Sequence, residues 1–69
     1  MNNEKGIFMA RMRRAGYHSL AWRVDLAWKK GEPFDTSIID DDLAPKYPQR
    51  NIDKIEEFNE EYRRGYVQD

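Results

Sequence analysis

All three prolines of the chain, Pro33, Pro45 and Pro48, fall between Glu32 and Arg50, and the segments on either side contain none. Proline has no amide hydrogen and its ring clashes with the preceding helical turn, so a helix does not run through such a stretch. The chain therefore divides into a Pro-free segment at 4–30, a linker at 31–50 and a second Pro-free segment at 51–65. The linker also holds Asp40-Asp41-Asp42 and only a brief apolar pair, Ile38-Ile39. We expect it to be extended, with one short turn starting near Asp35.

The flanks read as helices. In the first, Tyr17, Leu20, Ala21, Val24, Ala27 and Trp28 recur at three- and four-residue steps, which places them on one stripe, and Phe8, Met12 and Ala15 follow the same spacing upstream. Gly16 separates the two blocks and costs about 1 kcal/mol relative to Ala inside a helix, so one helix kinked at Gly16 and two shorter helices both fit. Lys29, Lys30 and Gly31 make a favourable ending: the cations sit by free carbonyls and Gly accepts the left-handed conformation. In the second segment Asn51 is the expected N-cap. Ile52, Ile55, Phe58, Tyr62 and Tyr66 form the apolar stripe. Glu60 can pair with Arg64, and Gly65 can end the helix. The expected fold is all-α, two amphipathic helices joined by a Pro/Asp-rich linker in a single small domain spanning 1–69.

Such a domain has little to hold it together. At 69 residues a single core rarely supplies more than about 3–5 kcal/mol. There is no cysteine, so neither disulfides nor a thiolate-bound zinc can add to it. Charged residues are 36% of the chain and hydrophobic ones 39%, a thin apolar supply that nine aromatics offset, because each buries a large area. No apolar run is long enough to cross a bilayer, and the N-terminus lacks the basic-then-apolar layout of a signal peptide. The expectation is a soluble cytoplasmic protein without a membrane partner.

The net charge of −1 conceals a division. Residues 1–31 carry seven cations against two carboxylates, a net of +5, whereas residues 32–69 carry five against eleven, a net of −6. Such asymmetry points to nucleic-acid or charged-protein partners. Attraction between the two halves within the fold explains it equally simply.

Catalysis finds few residues to work with. His18 is the sole histidine, and Ser19 and Ser37 lack a nucleophile elbow or a neighbouring base. Glu56/Glu57 and Glu60/Glu61 lie on the polar side of the second helix, where solvated charge is the ordinary explanation. Asp40, Asp41 and Asp42 are consecutive, unlike the alternating ligands of a calcium loop, so no metal and no cofactor is expected. We expect a protein that is not an enzyme.

Two binding surfaces compete. Arg11, Arg13, Arg14, Tyr17, Trp22 and Arg23 mix cations with aromatics, a combination that suits RNA: cations neutralise phosphates and planar rings stack on unpaired bases. Trp28 falls on the core stripe and Trp22 elsewhere on the helical wheel, so Trp22 is the expected exposed contact. A helix-turn-helix arrangement about Gly16 would put Arg11 and Asp25 at positions that should be apolar. The second surface is acidic: Asp40, Asp41, Asp42, Glu56, Glu57, Glu60 and Glu61 could meet a basic surface on a protein, with Tyr66 as an aromatic anchor.

The order of short motifs resembles the ribosome modulation factor family. The matching elements are Ala15-Gly16-Tyr17 in a basic first helix, Gly31 at its end, Tyr47-Pro48 before the second helix and Tyr62-Arg63-Arg64-Gly65-Tyr66 near the C-terminus. The family carries similar Gly-Tyr, Gly, Tyr-Pro and Trp-x-x-Gly-Trp signatures in short chains of two linked helices. The layout spans most of this chain in motifs of two to five residues. The resemblance implies binding to the small ribosomal subunit through ribosomal RNA and control of translation. The family is basic throughout, whereas the second half here is acidic and the linker is lengthened around Asp40–Asp42, so only the first-helix contact carries over.

From the sequence, the leading expectation is a small protein-binding modulator or inhibitor of accessory or bacteriophage type, whose partner is a host or cellular protein with a basic surface. The alternative is a ribosome- or RNA-associated regulator of translation docking by its basic first helix. Pairing of opposite halves in a homodimer is a third arrangement.

Overall fold

Gly16 does not sit inside a helix; it ends one. In the computed structural model, which describes residues 3–65, the first segment is two helices, α1 (Glu4–Arg14) and α2 (His18–Lys29). Gly16 has φ +97°, its amide donates to the Arg13 carbonyl at 3.0 Å, and the Tyr17 amide reaches back to the Met12 carbonyl at 3.1 Å. That double bond around a left-handed residue is the Schellman closure, which satisfies carbonyls that the helix end would otherwise leave unpaired. Gly31 closes α2 the same way, with φ +77°, its own amide on Trp28 O at 2.9 Å and that of Glu32 on Ala27 O at 3.0 Å. The expected stop at Gly31 is thus found, and of the two arrangements that fit 4–30, one kinked helix or two shorter ones, the structure has the second, divided at Gly16 by the same device.

The third helix, α3, runs Gln49–Arg63 and begins two residues before the expected start. Pro48 is its N-cap: its carbonyl accepts from the Asn51 and Ile52 amides at 3.0 and 3.2 Å. Proline's fixed φ suits the entry, and Gln49 braces the first turn by donating from Nε2 to Asp53 Oδ1 at 3.0 Å. Asn51 lies within the first turn and caps nothing. Tyr66, the last residue of the expected apolar stripe, lies outside the described residues.

The short turn expected near Asp35 is found, and the rest of the linker is more folded than an extended segment. Asp35 opens a 3-10 turn, Thr36–Ile38, by accepting from the amide and hydroxyl of Ser37 at 3.0 and 2.6 Å. These bonds, the hydroxyl's first, hold the Asp35 carboxyl below the usual carboxylate range. Asp40 accepts from the amides of Asp42 and Leu43 at 3.0 and 2.9 Å. Phe34 and Ala44 are buried, so the linker folds back over the helices. The fold is all-α, and no strand occurs among the described residues.

The core joins Met9 and Met12 of α1, Leu20, Ala21, Val24 and Trp28 of α2, Phe34 and Ala44 of the linker, and Ile55, Phe58 and Tyr62 of α3. Trp28 stacks on Tyr62 with ring centroids 5.7 Å apart and meets Phe58 edge-on. At its centre is a polar residue, Asn59, which is wholly buried. Its Oδ1 accepts from Trp28 Nε1 at 2.9 Å and from the Phe34 amide at 2.8 Å, and its Nδ2 donates to the Phe34 carbonyl at 2.8 Å. One side chain therefore ties α2, the linker and α3 together, and replaces the pairing that linker backbone loses on burial.

Candidate functional site

The charge division of the sequence takes a different form in space. Every carboxylate of the acidic cluster on α3 has a partner within the chain. Arg63 holds Glu56 and Glu60, each at 2.8 Å; Arg64 lies 3.9 Å from Glu60; Lys54 is 3.5 Å from Glu57; and Lys5 of α1 is 3.0 Å from Glu61. Exposed pairs of this kind add little stability, about 0–1 kcal/mol each. Their effect on the surface field is larger, because each cancels a charge that an external partner would need.

Glu56 is further committed, accepting from the Thr36 hydroxyl and, at 3.4 Å, from Asn59 Nδ2. The Thr36 bond first and the Arg63 bond second keep its carboxyl below its ordinary value, against a smaller opposing effect of burial. Lys5 also donates to Tyr62 Oη at 2.8 Å and lies 4.7 Å from the Tyr62 ring centroid. Burial alone would lower its pKa, but the bonds to Tyr62 and Glu61 together outweigh it and the value is raised. Glu56, Glu57, Glu60 and Glu61 are thus each neutralised in part by a cation of the fold. Of the Asp run, Asp40 and Asp41 turn an oxygen onto linker amides, with Asp41 accepting from Lys46 N at 3.5 Å.

The arginines of α1 contrast with this. Arg11, Arg13 and Arg14 are exposed and make no ion pair among the described residues. Ile7, Arg11 and Arg14 fall at helical steps of four and three and so share an outward stripe; Ile7 is 52% exposed. From this stripe Arg11 leads into a cleft of about 350 Å³ lined by Phe8, Met12, Ala15, Tyr17, Tyr47, Arg50 and Asn51. Arg50 is exposed and likewise unpaired among the described residues. A shallower depression lined by Glu4, Ile7, Phe8, Arg11 and Lys54 adjoins the cleft through Phe8 and Arg11.

The aromatic wall of the cleft is rigidly built. Tyr17 donates from Oη to the Pro45 carbonyl at 2.8 Å and meets the Tyr47 ring edge-on, centroids 4.9 Å apart. The Tyr47 hydroxyl is covered and finds no hydrogen-bond partner among the described residues. Burial, with a smaller contribution from Tyr17, pushes its pKa up to about 12, so it stays neutral at ordinary pH. Both tyrosines therefore offer ring surface to the cleft and keep their hydroxyls in the fold.

The structure thus brings Arg11 and Tyr17 of the expected basic surface together, with Arg13 and Arg14 on the same helix. It places Arg23 elsewhere, in a depression with Ser19, Ile38, Asp40, Asp42 and Leu43. Trp22 is 63% exposed, and Leu26, one turn on, is 40% exposed, so the expected division between Trp22 outside and Trp28 inside holds. Arg50 and Tyr47 were not among the expected contacts, because the net acidity of the second half masks single cations in it. Their signal was the adjacency of Tyr47-Pro48 to a helix start that carries Arg50 and Lys54 four residues apart. No group of three His, Cys, Asp or Glu residues that could hold a metal ion occurs among the described residues. No helix among them is long and apolar enough to cross a membrane. Comparison with protein-family models, with curated proteins and with solved structures finds no match to this chain.

Proposed function

We propose that this chain is a small, non-enzymatic RNA-docking protein that lays the arginine face of α1 on a phosphate-rich surface. The observation that carries the reading is the inequality of the charged faces of α3 and α1: Glu56, Glu57, Glu60 and Glu61 are ion-paired within the fold, whereas Arg11, Arg13 and Arg14 stand unpaired among the described residues and are joined by Arg50. Guanidinium groups match phosphate bidentately, and the gain from displacing condensed counterions is available only to cations not already neutralised. The resemblance to the ribosome modulation factor family points toward structured ribosomal RNA as the target and regulation of translation as the outcome, and both belong to the same proposal.

The experiment is binding of a labelled structured RNA to the wild-type chain and to two variants. Arg13→Ala/Arg14→Ala should weaken binding at least tenfold, since two phosphate contacts go at once. Glu57→Gln/Glu60→Gln should leave it within about twofold. Binding insensitive to the arginines overturns the reading.

A second reading, a protein-binding modulator or inhibitor of accessory or bacteriophage type, is supported by Trp22 and Leu26, which share the outward face of α2. On that reading the anchor is this apolar pair. Of the acidic residues expected to dock, Glu56, Glu57, Glu60 and Glu61 are ion-paired within the fold, whereas Asp40, Asp41 and Asp42 are exposed and have no ion pair among the described residues. Capture of one stoichiometric protein, resistant to nuclease and lost in Trp22→Ser/Leu26→Ser, would favour it.

A further inference from the structure

We propose that the cleft between α1, Tyr17 and the start of α3 binds one nucleotide of an unpaired RNA strand, its phosphate between Arg11 and Arg50 and its base against the wall of Phe8, Tyr17 and Tyr47. The inference rests on the RNA-docking reading and adds to it a specific site and ligand class.

Three observations select that occupant. The first is size: about 350 Å³ lies at the low end of the roughly 300–1,000 Å³ typical of small-molecule pockets, room for one nucleotide and not for a duplex. The second is charge. The lining holds two guanidinium groups and no carboxylate, and the two come from residues far apart in sequence that the fold sets on one cleft. Neither has an ion pair among the described residues, so both guanidinium groups lining the cleft remain available to an anion. The third is the wall, where three aromatic rings supply apolar surface beside the cations. An anion alone would not use that surface, and an apolar ligand alone would not use the arginines. A nucleotide uses both, since every base has a flat face and every phosphate a charge.

The wall also fixes how selective the site is. The Tyr17 hydroxyl is spent on Pro45 and the Tyr47 hydroxyl is covered, so neither reads a base edge. Among the lining residues Asn51 alone offers a side-chain amide. Contact through ring faces is sequence-tolerant, and the site should accept all four bases with only a slight preference.

The test uses the full chain and heteronuclear NMR titration with AMP, adenosine and inorganic phosphate, alongside the structured RNA. AMP should shift the amides of Tyr17, Tyr47, Arg50 and Asn51, and adenosine or phosphate alone should bind at least tenfold more weakly. Arg50→Ala, at an exposed position without a side-chain partner among the described residues, should keep the wild-type helical spectrum and weaken AMP at least tenfold. Arg13→Ala/Arg14→Ala should leave AMP binding unchanged while weakening the structured RNA. If AMP causes no such shifts, or if Arg50→Ala binds it as wild type does, the nucleotide site is overturned, and a surviving dependence of RNA on Arg13 and Arg14 leaves the docking reading intact. If AMP binds with the stated Arg50 dependence while structured RNA does not bind, the docking reading falls and the cleft assignment stands. Equal binding of a poly-glutamate peptide with the same Arg50 dependence would overturn the nucleotide assignment.

Discussion

Replacing Asn59 by Ala should unfold this chain at room temperature, and the size of the loss can be worked from its partners. The substitution leaves three buried groups unmatched: the Trp28 indole N–H, the Phe34 amide and the Phe34 carbonyl, bonded in the wild type at 2.9, 2.8 and 2.8 Å. Each stranded group costs about 1–3 kcal/mol. Three of them total about 3–9 kcal/mol, and water entering the space left by the amide brings the net toward the lower end, about 3–5 kcal/mol. That equals the whole stability of about 3–5 kcal/mol that a core of this size supplies. Asn59→Asp separates hydrogen bonding from volume. It keeps two acceptor oxygens for Trp28 and Phe34 N but, when ionised, offers no donor to Phe34 O and lies 3.4 Å or so from a second carboxylate, that of Glu56. Its folded-state pKa should therefore be raised, so its stability is greatest below the unfolded value of about 3.9 and declines as pH rises through the folded value. Urea unfolding followed by far-UV circular dichroism at pH 4 and pH 7 reads both effects. A loss below about 1 kcal/mol in Asn59→Ala would refute the role assigned to this side chain.

Further consequences follow from single groups. Gly16→Ala should cost about 1–2 kcal/mol in thermal unfolding, wholly from the backbone, because φ is +97° and a Cβ there would meet nothing within 4 Å. Tyr47→Phe removes a covered hydroxyl without a partner among the described residues and should raise stability by about 1 kcal/mol; a loss of similar size would mean that the hydroxyl is bonded. Glu56 has a folded-state pKa below its ordinary value of 4.5, so its contribution is complete above that pH and is lost as pH falls through the lowered value. Glu56→Gln should accordingly flatten the acid limb of the stability profile measured by urea titration from pH 6 to pH 2. Trp22→Ser/Leu26→Ser, on the outward face of α2, should change stability by no more than about 0.5 kcal/mol per site in the same assay.

Periodicity found the parts of the fold that depend on one helix at a time. Leu20, Val24 and Trp28, and Ile55, Phe58 and Tyr62, are buried as their three- and four-residue spacing requires. Gly16 was legible as an interruption but not as a cap, since its cost inside a helix and its ease in a left-handed closure depend on a φ that spacing does not contain. The burial of Phe34 and Ala44 was hidden because neither belongs to a periodic run, and Asn59 because an isolated amide in a polar stretch looks like solvated surface. What makes Asn59 central is the indole and the linker backbone that meet it, all distant in sequence. The site divides likewise. Arg11, Arg13, Arg14 and Tyr17 were visible as a basic and aromatic cluster, while Arg50 and Tyr47 join Arg11 only through the packing of α3 beside α1. Summing charge over each half does not show that Glu56, Glu57, Glu60 and Glu61 are paired with Lys5, Lys54, Arg63 and Arg64, since the pairing depends on which cations the helix turn and α1 set beside each carboxylate.

The most direct test of RNA docking by α1 is the dependence of structured-RNA affinity on salt, measured for the wild type and for Arg13→Ala/Arg14→Ala from 50 to 300 mM KCl. With three to four arginine–phosphate contacts, log K should fall against log salt with a slope of about −2 to −4, and the double variant should lower the magnitude of that slope by about 1.5 to 2. An affinity independent of salt, or a slope unchanged in the variant, would contradict docking through these arginines.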